Sequence, residues 1–188
     1  MPVQLVGGSP TSPDAGPGAN AIVMTKYTAV LTGTMLQFYL KAANAANVCF
    51  AVYDDNAGSP NNLLVQDHTS YAASAGWNVY PFTGLQVTKA TVYWLAGNSS
   101  ANNTLYFQSV GTSLWKGLTF HDAFPNPAGG GWGGYNYFGG YQLWGVPPGG
   151  QVIWMMAKRM QDFMRDLKRG LLPPDVLQRK WRDCLRPI

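Results

Sequence analysis

Val48-Cys-Phe-Ala-Val-Tyr53, followed by Asp54-Asp55-Asn56-Ala57-Gly58-Ser59-Pro60, is the stretch that decides the fold class. Val48, Phe50, Val52 and Tyr53 are β-branched or aromatic, and the apolar run is too short for a helix of ordinary length, so it reads as a buried strand. The residues after it are turn formers, and the stretch Asp54–Gly58 is read as a plain hairpin turn. Moving outward, the same signature recurs around Ala21–Tyr39 (broken at Thr32-Gly33) and at Leu63–Gln66, Trp77–Phe82, Thr91–Ala96 and Thr104–Val110. Each run is bounded by Asn, Gly, Ser or Pro, and no period of 3.6 persists before residue 150. Short strands at this spacing predict an all-β antiparallel sandwich or barrel, with Trp77 and Trp94 as core residues.

Composition narrows the function classes. Of 188 residues, 46% are hydrophobic and only 12% charged, which excludes a disordered chain. No apolar run reaches the length of a membrane-spanning helix, and the opening MPVQLVGGSP lacks the basic and apolar regions of a signal peptide. Charge is divided unevenly. Residues 1–150 hold four Lys and five Asp for a net −1, whereas 151–188 hold three Lys, six Arg and four Asp for a net +5. The shift falls at Val146-Pro147-Pro148-Gly149-Gly150, so three parts are expected: an extended arm over 1–19, a sandwich over 20–146 and a tail over 151–188.

The tail reads as helix, turn, helix. Val152, Met156, Met160, Phe163, Met164 and Leu167 recur at three- and four-residue steps through Gln151–Arg169, with charged residues largely opposite. Gly170 and Pro173-Pro174 stop that helix, and a second carries Trp181 toward Leu185. Asp162 and Asp166 dilute the basic face, which argues against a membrane surface and against nucleic acid as partners. A methionine-rich face suits an adaptable protein contact, with packing onto the chain's own sandwich as the alternative.

Catalytic and metal chemistry find little support. All nine acids are Asp; without Glu, no EF-hand loop is complete, and the two Cys and two His have no zinc-ligand spacing. Cys49 and Cys184 are expected as free thiols. His121-Asp122 lacks a serine elbow, and Asp54, Asp55, Asp67 and Asp122 stand in turn-like contexts. No cofactor is expected. The conspicuous segment is Gly129–Gly145, in which Trp132, Tyr135, Tyr137, Tyr141 and Trp144 lie among glycines. These rings either contact a glycan or a partner, or fill the core of a last strand.

The stretch from Ala46 to Gly97 resembles the choice-of-anchor R type domain of bacterial surface proteins and phage structural proteins. The resemblance rests on Tyr53-Asp54, Gly58 to Leu64, Trp77 to Phe82 and Tyr93-Trp94-Leu95, and FPNPAGGGWGG resembles the family's last loop and strand. It implies a jelly-roll-like sandwich displayed at a surface, and it implies no catalytic residues. With an appended helical tail and no visible export signal, the expectation is a non-enzymatic bacteriophage virion protein, a capsid decoration or tail-fibre component. Such a protein is synthesised in the bacterial host cytoplasm and docks on other virion proteins as a homo-oligomer, a trimer for instance. The rivals are a carbohydrate-binding module or adhesin for a host surface glycan and, further off, a glycan-degrading enzyme.

Overall fold

The computed structural model describes residues 2–10, 18–102, 105–148 and 161. Side chains at 107–110 and 135–138 are outside that description, as are residues 11–17 of the expected arm. The expected tail docking residues Val152, Met156, Met160, Phe163, Met164, Leu167 and Trp181, like Cys184, also lie outside the described residues; Gln161 alone in that segment is described, as helical and exposed.

Among the described residues, eleven strands make two antiparallel sheets. In chain order they are β1 Val3–Gly7, β2 Ala21–Thr28, β3 Gly33–Ala42, β4 Ala46–Asn56, β5 Ser59–Ala73 and β6 Gly76–Pro81. Then come β7 Gln86–Val87, β8 Val92–Ser99, β9 Phe107–Gly117, β10 Gly133–Gly139 and β11 Tyr141–Val146. One sheet runs β1-β11-β3-β6 with β7 also on β3, and the other runs β10-β9-β2-β8-β4-β5.

This order is a nest. The first strand pairs with the last (β1 with β11), β2 with β8, β3 with β6 and β7, and β4 with β5. A long antiparallel hairpin rolled on itself gives those pairs, and the rolling adds β11 beside β3 and β8 beside β4. That is the double Greek key of a jelly roll, so the expected fold class is the observed one. The hairpin β9–β10 stands outside the nest, inserted between β8 and β11 and paired to the edge of β2.

The expected arm over 1–19 is shortened by this pairing. Val3–Gly7 is a strand of the sheet, with Leu5 and Val6 fully buried. Its five residues are flanked by Gly-Ser-Pro, and their pairing partner is about 140 residues away, which no local pattern reveals.

Between the sheets lies the main core. Phe38 of β3 stacks on Phe50 of β4 at 4.6 Å between ring centroids and 9° between planes, and Phe82 meets both rings edge-on. A second apolar layer explains why VCFAVY shows no alternation. Val48, Phe50 and Val52 face the sandwich interior, while Cys49, Ala51 and Tyr53 face outward, yet all six are fully buried. The outward set, with Ile22, Met24, Trp94 and Ala96, is covered by the loop between β9 and β10 through Phe124 and Ala128.

Candidate functional site

The turn-like acids are consumed by local structure. Ala57 (φ 52°) and Gly58 (φ 88°) form the two-residue turn between β4 and β5, a conformation with positive φ at both positions that matches strand twist. Asp54 accepts from the backbone N–H of Asn62 at 2.6 Å and from its side-chain amide at 2.8 Å. Asp55 accepts from the Gly58 N–H at 3.0 Å and from the Trp94 indole N–H at 2.8 Å. Burial pushes the Asp67 carboxyl up, but hydrogen bonds from the Tyr71 hydroxyl and from Thr69 outweigh it, and the net shift is downward. His121 sits exposed at φ 77° with its ring edge-on to Phe120, and the Asp122 N–H donates back to the Thr119 carbonyl in a tight turn. Cys49 is a buried free thiol whose burial raises its pKa to about 11, an inert rather than nucleophilic setting. Among the described residues, no three His, Cys or Asp group as metal ligands, and no helix is long and apolar enough to cross a membrane.

The aromatic segment does not form one surface. It holds two strands in different sheets, and the chain crosses between them at Gly139-Gly140. Glycine is required there by crowding: a Cβ on Gly139 would lie 2.6 Å from the Tyr141 ring, and one on Gly140 would lie 2.5 Å from the Lys41 Cβ. Tyr141 is a core residue and not a contact residue, 1% exposed, with its hydroxyl donating to the Val23 carbonyl at 3.2 Å. Trp132 packs against the outward layer beneath the loop, donates to the Gly129 carbonyl and carries Lys116 5.6 Å above its ring. Tyr135 and Tyr137 lie on β10, with side chains outside the described residues.

Trp144 belongs to another place. It alternates with the inward Tyr141 and Leu143, so it faces out from the five-stranded sheet, half-buried, with Gln4 of β1 directly across. Its ring meets Tyr39 of β3 at 5.1 Å, and its indole N–H donates to Gln142 at 2.7 Å. Gln142 in turn donates to the Gly8 carbonyl and to Ser9, so the rotamer of Trp144 is tied to the backbone after β1.

Trp77 completes that face and corrects an expectation. Its apolar surroundings in the sequence predict a core residue, but the alternation in β6 turns Tyr80 inward and leaves Trp77 39% and Val79 46% exposed. Lys41 pairs with Trp77 and Tyr39 with Val79 across β3 and β6. The Lys41 ammonium lies 4.1 Å above the Tyr106 ring and 5.9 Å from that of Trp77, and donates to the Pro10 carbonyl at 2.7 Å. Trp144, Tyr39 and Trp77 therefore run diagonally over three neighbouring strands. Sequence reasoning missed Tyr39 and Trp77, and no local signal marks them, because the apolar positions Trp77 and Val79 alternate with Asn78 as a core-facing pair would.

The fold and the faces define the class as a jelly-roll β-sandwich with an inserted hairpin and a loop-covered outer layer. Compared with known protein families, curated proteins and solved structures, the chain matches none.

Proposed function

We propose that this chain is a non-enzymatic structural protein of a bacteriophage virion, a capsid decoration or a tail-fibre or baseplate component. The sandwich is displayed outward, and the basic segment after Pro148 attaches it to other virion proteins. The observation that carries this reading is the rolled nest of strand pairs, an architecture that recurs in viral capsid domains. The near-neutral charge of residues 1–150 supports it, since little repulsion opposes the close packing of copies. Engagement of Asp54 and Asp55 at the β4–β5 turn, and of Asp67 by Thr69 and Tyr71 within strand β5 where a turn was expected, supports binding over catalysis. The resemblance to a surface-display domain points the same way. A tagged copy produced during lytic growth is expected in density-purified particles by mass spectrometry, and a copy lacking 151–188 is expected to remain soluble and be lost from them. A full-length copy absent from particles, or full incorporation of the shortened one, contradicts this assignment.

A further inference from the structure

The outward face of the β1-β11-β3-β6 sheet carries chemistry that neither packing nor virion attachment uses. The Trp144 and Tyr39 ring centroids lie 5.1 Å apart, and Tyr39 and Trp77 are diagonal neighbours about 7–8 Å apart, so the three rings form a ridge about 13 Å long. Gln4 and Gln37 flank it, and Val79 lies beside Tyr39. The rings are set before any ligand arrives, Trp144 by its bond to Gln142 and Tyr39 by its contact with Trp144. Lys41 is the only charged residue in the five strands of this sheet, and it stands at the Trp77 end of the ridge.

We propose that this face binds an extended, acidic, β-linked oligosaccharide, with sugar rings laid along the Trp144–Tyr39 pair and over Trp77 and a uronic carboxylate toward Lys41. A pyranose presents an apolar C–H face ringed by hydroxyls. Aromatic rings cover the first, and side-chain amides match the second. The charge on the face selects the acid: the Lys41 ammonium gives one hydrogen bond to the Pro10 carbonyl and has two further N–H donors for a carboxylate, and no carboxylate in these strands repels an anionic chain. A polypeptide partner of ordinary composition would bring larger apolar side chains, whereas this ridge offers ring faces and side-chain amides that match a pyranose. The inference does not depend on the virion assignment, because it is tested on the purified chain.

The probe is a hyaluronan hexasaccharide, which alternates a uronic acid with N-acetylglucosamine, titrated into the full-length protein by calorimetry beside neutral chitohexaose. Hyaluronan is expected to bind, more weakly as salt rises, and Trp77→Ala and Trp144→Ala each to weaken it about tenfold while near-ultraviolet circular dichroism reports an intact fold. Trp77→Phe keeps a ring and is expected to retain most of the affinity, and Lys41→Gln to remove the preference over chitohexaose. The proposal is overturned if the hexasaccharide does not bind, if chitohexaose binds equally well, or if neither tryptophan variant loses affinity. It is also overturned if sedimentation reveals a dimer that Trp77→Ala abolishes, because the face would then belong to a second copy.

Discussion

The indole of Trp94 is fully buried, and its N–H reaches the Asp55 carboxylate, so one exposed-looking turn acid satisfies a donor in the outward layer. Asp55→Ala strands that donor and is expected to cost about 1–3 kcal/mol in urea unfolding, while Asp55→Asn, which keeps an acceptor, costs less. Asp67 makes a pH-dependent contribution. Its folded pKa lies below the ordinary value, so the stabilisation is present above the unfolded pKa of about 3.9 and is lost as pH falls through the folded value. The melting-temperature advantage of the native chain over Asp67→Asn is therefore expected to shrink below about pH 4, in melts run from pH 6 to pH 2. A constant gap across that range would show that the Tyr71 and Thr69 bonds do not favour the ionised form.

At the scale of elements, the loop between β9 and β10 behaves as a third layer. It is held by side chains of the sheet beneath it: the Tyr53 hydroxyl donates to the Pro125 carbonyl at 2.9 Å, and Gln66 accepts from the Phe124 N–H. Asn126 accepts from the Leu63 N–H, and the Asn98 amide donates to the Leu118 carbonyl. Phe124 and Ala128 supply the apolar part. Tyr53→Phe removes one tether without opening a cavity and is expected to destabilise the docked loop by about 1 kcal/mol. The readout is chymotrypsin cleavage near Phe120 or Phe124, faster in the variant while the remaining sandwich stays intact. Unchanged cleavage would mean that apolar cover alone holds the loop. The same layer accounts for the buried run of β4, because a strand with one wet face would have to alternate.

For the whole molecule, Pro2–Gly145 forms one compact unit with its own core. A chain ending at Pro148 is expected to unfold in a single cooperative transition with the near-ultraviolet spectrum of the sandwich. At neutral pH it should pass through a cation exchanger that retains the full chain, because the net charge falls from +4 to −1. Retention of the shortened chain would show that a local cluster of its four lysines, and not net charge, governs binding to the resin. The all-β class and the hairpin at Asn56–Ser59 were legible in the residues themselves, because apolar runs and turn formers act over a few positions. The candidate face was not. Trp77 and Trp94 both stand among apolar neighbours, and only the identity of the layer each strand faces makes one exposed and the other buried. Likewise Tyr141 and Trp144 occupy one short strand, but the pairing of β11 between β1 and β3 sends the first into the core and the second to the surface. The sequence by itself determined that strands form and where charge is concentrated, since both follow from local chemistry. Only the tertiary structure decided which rings share a face, because pairing between strands far apart in the chain sets the side to which each alternating residue points.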